Sequence, residues 1–384
     1  MGVSAAGRLR LRRALLLALA LVALFAGLWG GLILLGVLTP SVLVSASQAH
    51  GPLMALGFLG TLVSLERAVA LRRWWAYAAP LAASLGALAA LSGATGSLGP
   101  ALETLAGALL LAAHLTLQRM APSLHNAVMG LGAMSWCAAG LVWLVGDEVS
   151  RFAPLLAGFL VLIIVGERLE LTRVARRSAG VQSLLLVAVA VFAAGLTVSL
   201  IAETPGVKLA GVGLLGEAAW LARYDVARRT VRMSGVTRFM ALALLAGYVW
   251  LAVAGVLWAL SGSMLDGPAY DAQLHAVFLG FVMSMIFAHA PVIVPAVLRM
   301  PLPFHRGFYA HLALLHASLA LRLLGGDLVG NTRLWQWGGI LNETAILLFL
   351  ILTVSAVLRA RRTGVRALQE STLQAYSGQA STHG

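Results

Sequence analysis

Apolar residues in this chain run in long stretches broken by short polar ones. Twelve stretches approach the roughly 20 residues that an α-helix needs to cross a bilayer. They cover roughly 14–38, 50–71, 76–94, 98–118, 125–146, 152–170, 180–202, 206–222, 236–262, 272–298, 308–325 and 335–358. The short connections leave no room for a sizeable soluble domain. The pattern predicts an all-α integral membrane protein with twelve transmembrane helices, forming a single polytopic domain over residues 1–366. The polar segment 367–384 is expected to be a disordered tail.

A motif recurs inside these stretches. Gly57-Phe58 is followed, with seven residues between, by Glu66. Gly158-Phe159 stands at the same spacing from Glu167, and Gly280-Phe281 at the same spacing from His289. The first two copies continue as Glu66-Arg67 and Glu167-Arg168 into basic clusters. The three copies fall on predicted helices two, six and ten. Helices one, five and nine share a second signature: Ala26-Gly27-Leu28-Trp29, Ala139-Gly140-Leu141-Val142-Trp143 and Ala254-Gly255-Val256-Leu257-Trp258. Helices four, eight and twelve are each read as carrying an early glutamate: Glu103, Glu217 and Glu343. Three features with one period predict a pseudo-threefold 4+4+4 bundle, with units of roughly 14–118, 125–229 and 236–362. Gly57, Gly60, Gly158 and Gly280 would let helices approach closely in lipid.

Composition sharpens this picture. With 60% hydrophobic and 11% charged residues, a soluble domain is excluded. The net charge of +13 raises nucleic acid as a partner, but the charge distribution argues against it. If the N-terminus lies inside, only Arg151, Lys208, Arg322 and Arg333 of the 27 basic residues fall outside. That is the positive-inside pattern. It predicts that both termini are cytoplasmic, that the protein sits in the cell's inner (cytoplasmic) membrane, and that the basic face meets anionic membrane lipids. The first apolar run is too long for a signal-peptide core and has no small-x-small cleavage site, so it is read as a membrane helix. A single cysteine, Cys137, excludes an internal disulfide and a multi-cysteine metal site.

The candidate chemistry lies in histidines and carboxylates. His50 and His275 are read as beginning helices two and ten, at one depth near the outer face. Two inward imidazoles at equal depth suit axial ligation of a b-type haem. The competing reading makes them interfacial residues bonded to loop carbonyls or water. His289 lies about 21 Å further along helix ten than His275, level with Glu66 and Glu167. His289 and His311 could form a cytoplasmic-side metal site, or could join a polar network with neighbouring arginines. Glu66 and Glu167 are read as ion-paired anchors or members of a proton network. Glu103, Glu217 and Glu343 are placed in the outer third of the membrane, as proton sites or as helix–helix hydrogen-bonding groups.

Twelve helices in three units, with histidines at the outer ends of helices two and ten, resemble subunit I of the haem-copper oxidase superfamily. His50-Gly51-Pro52-Leu53-Met54 is similar to that family's second-helix ligand motif, and Gln273-Leu274-His275 to its tenth-helix His-x-His. Gln273 stands where the ligand of the catalytic haem would be. Helices six and seven contain no histidine, so the copper ligands are missing. The run from Leu274-His275-Ala276 through Gly280-Phe281 and Met285-Ile286 to His289-Ala290-Pro291 looks more like NnrS, a haem- and copper-containing membrane protein linked to nitric oxide stress. The likeness covers most of the chain in architecture and only these segments in motif. It implies haem b on His50 and His275, copper as a lesser prospect, and a redox partner protein. The implied role is electron transfer or a response to nitric oxide or redox stress; enzymatic activity is left open. Two other classes compete: a twelve-helix proton-coupled transporter using the buried glutamates, and a haem-free assembly or scaffold subunit.

Overall fold

The structure, a computed structural model, describes residues 5–39, 43–93, 96–146, 148–172, 178–298 and 300–380. Among them every regular element is helical and no strand occurs. Twelve principal helices follow one another. These are α1 (Ala5–Leu34), α2 (His50–Leu71), α3 (Trp74–Leu91), α4 (Leu98–Met120), α5 (Leu124–Leu144), α6 (Val149–Thr172), α7 (Ala179–Ser199), α8 (Glu203–Tyr224), α9 (Gly235–Ser261), α10 (Gly267–Ala296), α11 (Phe308–Leu328) and α12 (Thr332–Ala380). The short helices Val44–Gln48 and Ala227–Thr230 lie between them. Arg173, Arg176, Arg177 and Arg299 of the basic clusters, and the extreme ends of the chain, lie outside the described residues.

Eleven of these helices are long and apolar enough to cross a membrane. The exception is α8, which has 22 residues and carries Glu203, Lys208, Glu217 and Arg223. It is clamped between α7 and α9 by small residues. A Cβ on Gly195 or Gly206 would collide with Ala210 or Ser199 across the α7–α8 contact. One on Gly211 would collide with Ala259 of α9. Such close backbone approach is how helices associate in lipid. At the other end of the chain, α12 runs on to Ala380, where the polar sequence predicts a disordered tail. That stretch has no proline and is rich in alanine, leucine and glutamine, which propagate a helix.

Burial shows which helices form the centre. Among the eleven membrane-length helices, the most apolar window of α6 is 78% buried, those of α2 and α10 are each 61% buried, and no other exceeds 50%. The three helices that carry the repeated motif are therefore the three most enclosed. From Phe152 to Gly166 helix α6 is apolar all round: Phe152, Leu156, Phe159, Leu160, Val161 and Val165 are all buried. A helix without a polar face belongs in a core.

Helices α2 and α10 share a finer feature. Leu53–Gly60 and Ala276–Met283 are wound as π-helix, with i→i+5 bonding that is rare and often local to function. The shift that lays Gly57-Phe58 on Gly280-Phe281 also lays one π segment on the other. The same shift lays His50 on Gln273 rather than on His275. The two histidines thus differ by two positions in the repeat, about 3 Å along a helix, and are not strict equivalents.

Candidate functional site

Polar side chains gather at both ends of the central helices. At the basic end, Arg67 of α2 donates to Glu66 Oε1 at 2.8 Å and to Glu167 Oε1 of α6 at 3.3 Å. Arg168 of α6 grips Asp225, just beyond α8, in a fork: Nε to Oδ2 and Nη2 to Oδ1, both at 2.8 Å. Its Nη1 lies 3.5 Å from His289 Nε2 of α10. Each arginine follows the motif glutamate of its own helix and reaches the motif position of the next. In the third copy Ala290 stands at the arginine position, so the chain of links stops there.

This arrangement fixes the His289 tautomer. A guanidinium has no acceptor, so Nε2 is the accepting nitrogen, and Nδ1 donates to Met285 O at 2.7 Å. His311 lies in different surroundings. It is buried among the rings of Phe239, Phe287, Phe308 and Phe349, with no hydrogen-bond partner on either nitrogen. Among the described residues no group of three or more His, Cys, Asp or Glu is arranged to hold a metal ion.

The opposite end holds His50 and His275. His50 Nδ1 lies 2.7 Å from Gly27 O of α1, the glycine of the Ala-Gly-Leu-Trp signature. His275 Nδ1 lies 2.8 Å from Asp271 O, one turn earlier, and 3.2 Å from the Asp271 carboxylate. In both rings the bond to a main-chain carbonyl makes Nδ1 the protonated nitrogen. In the neutral ring Nε2 then carries the lone pair. Each histidine lies within electrostatic reach of the other, and both lie near Arg322 and Asp271.

Asp271 is the hub of this end. It accepts from Arg322 Nε at 2.7 Å, from Arg322 Nη2 at 2.5 Å and from Trp335 Nε1 at 3.2 Å. The Arg322 guanidinium also stands 5.6 Å from the Trp335 ring centre. Glu343 of α12 comes in beside His50. A Cβ on Gly31 would sit 2.8 Å from Glu343 Oε1 and 3.2 Å from His50 Cε1, so that glycine makes the space in which they meet. Five helices, α1, α2, α10, α11 and α12, supply this cluster.

The sequence reading passed over Asp271 and Asp225 and took Arg322 only as one of the basic residues outside. Two signals were available: Arg322 sits inside a predicted membrane helix, and Asp271 lies one turn before His275 on the same face. Asp225 carried no comparable mark.

The three helix glutamates stand at different distances from the starts of their helices. Counting from the helix starts at 1.5 Å per residue, Glu103 lies about 8 Å into α4, Glu217 about 21 Å into α8 and Glu343 about 17 Å into α12. Glu217 is fully buried with neither carboxylate oxygen bonded, and Glu103 is buried beside Gly86 with Oε2 unbonded.

A central core of three long apolar helices, wrapped by others and polar at both ends, defines a protein of the multi-pass membrane class. The chain belongs to the family described as a domain of unknown function, DUF8744, whose model matches residues 13–358. That match runs from the first membrane-length helix into the last. Searches of the curated proteins and of the solved structures gave no match.

Proposed function

We propose that this chain is a multi-pass protein of the cytoplasmic membrane that binds haem b through His50 and His275, and that it serves electron transfer or a nitric-oxide or redox stress response. The observation that carries this reading is the shared state of the two imidazoles. Each Nδ1–H is held by a main-chain carbonyl, and each Nε2 keeps its lone pair. Ligating histidines are prepared in this way, with the second nitrogen anchored so that the first can bind metal. Asp271 beside His275 adds the carboxylate that strengthens such a ligand, and Arg322 holds that carboxylate still. A haem iron with both axial positions filled by histidine passes electrons, drawing on a redox partner protein, rather than binding gas. Copper is not part of the proposal, because His289 Nε2 faces a guanidinium and His311 is enclosed by phenylalanines.

The test is the spectrum of purified protein from haem-supplied cells. A reduced-minus-oxidised b-type band is expected; colourless protein from such cells would overturn the proposal. A second reading, proton-coupled transport, draws on Glu217. An intramembrane carboxyl with no bonded oxygen is a natural candidate for a proton or ion site. Colourless protein whose Glu217→Gln variant loses proton uptake in vesicles would favour that reading.

We also propose that α8 is a twelfth span, that the bundle is 4+4+4, and that both termini are cytoplasmic. The concentration of burial in α2, α6 and α10 and the arginine links between successive motif positions support the repeat. Reporter fusions after residues 73 and 232 should read cytoplasmic, and those near residues 97 and 267 external. An external signal at residue 232 would overturn the twelve-helix model, since the strongest basic run lies there.

A further inference from the structure

A cavity of about 540 Å³ opens at the basic end between the start of α9 and the turn leading into α11. It is lined by Ser234, Gly235, Arg238, Leu242, Phe304, Arg306 and Tyr309. Its walls are carbon: Leu242, Phe304 and the Tyr309 ring, backed by Phe239, which packs on Phe304 and Tyr309. Its charges are two exposed guanidinium groups, Arg238 and Arg306. Neither is paired with a carboxylate among the described residues, although elsewhere in this end Arg67 and Arg168 both are. Two unneutralised cations at the rim of an apolar cavity mark a place for a ligand that is anionic at one end and hydrocarbon at the other.

We propose that this cavity seats an anionic phospholipid, with its phosphate between Arg238 and Arg306 and the start of an acyl chain against Leu242, Phe304 and Tyr309. Arginine forks match phosphate oxygens, and basic pockets between membrane helices on the cytoplasmic side take anionic head groups. A free phosphate would share the arginines but leave the apolar walls wet, which is why the lipid is the fitting source. The site lies apart from His50 and His275, and it stands whether or not the chain carries haem.

The test uses full-length protein in detergent. Native mass spectrometry counts retained lipid, and thermal melting is followed with phosphatidylglycerol, phosphatidylcholine or inorganic phosphate. Phosphatidylglycerol should be retained and should raise the melting temperature; phosphatidylcholine and inorganic phosphate should do neither. The R238Q/R306Q variant should bind phosphatidylglycerol about thirtyfold more weakly, the effect expected of two arginines near an anionic lipid. Its two side chains are exposed, so the fold should survive. The R228Q/R229Q variant removes the same charge from the same end outside the cavity and should bind as the native protein does. Leu242→Trp fills the cavity with both charges intact and should also lose the lipid. The proposal is overturned if R238Q/R306Q or Leu242→Trp keeps native binding, if R228Q/R229Q loses as much, or if inorganic phosphate alone reproduces the stabilisation.

Discussion

Arg168→Ala should destabilise the protein by about 3–5 kcal/mol, the cost of breaking one side of a buried ion pair. Arg168 and Asp225 are 3% and 0% exposed in their side chains, and the pair is joined by both prongs of the fork. Removing the guanidinium strands Asp225 in the interior with the bond from the Ala227 N–H at 2.7 Å and the neighbouring Tyr248 hydroxyl. It also removes the donor that faces His289 Nε2, so α6 loses its polar link to α10. The measurement is thermal melting in detergent, with the yield of monodisperse protein as a second readout. Replacing both partners, as in R168M/D225L, should recover much of the loss, because no uncompensated charge stays buried. Arg67→Ala should cost less. Its partners Glu66 and Glu167 are 32% and 20% exposed, so water can solvate them once the arginine is gone. If Arg168→Ala melts like the native protein, the fork is not what fastens the segment after α8 to the core.

Apolar run length made the helices legible, because a bilayer demands the same length whatever the tertiary contacts. The Gly-Phe motif singled out α2, α6 and α10, and its glycines lie in close packing. Gly57 lies against Ala87 and Gly280 under Trp250. The starts of the helices were less legible, because α8 begins at Glu203 and α10 at Gly267, a few residues ahead of their apolar runs. The start at Gly267 puts His275 two turns inside its helix. Pairing was not legible, for a different reason. Arg322 meets Asp271 across 51 positions of sequence and Arg168 meets Asp225 across 57. No periodicity along one helix reports a partner on another. An intramembrane arginine still announces that some acid must face it, since an unpaired charge there is costly. Read that way, Arg322 pointed to the hub at Asp271 without naming it.

On the haem proposal, His50→Ala and His275→Ala should each abolish the low-spin b-type spectrum, while His289→Ala should leave it nearly intact. Each ligand is prepared by its own backbone bond on a different helix, Gly27 O of α1 for His50 and Asp271 O of α10 for His275. Neither ring can take over the second axial position from the other. His289 cannot substitute either. It lies about 21 Å further along α10, its Nε2 is turned to Arg168, and its Nδ1 is bonded to Met285 O. The variants are judged on protein that melts within a few degrees of native, so that loss of colour is not loss of fold. Added imidazole should restore part of the band to the alanine variants at 50 and 275, since it can enter the gap left by the missing ring. If His289→Ala alone loses haem, the ligands belong to the basic end and the assignment of His50 and His275 is wrong. If all three variants keep the native spectrum, the haem is held by other residues, and the anchored imidazoles serve only to fasten α2 and α10 to their neighbours.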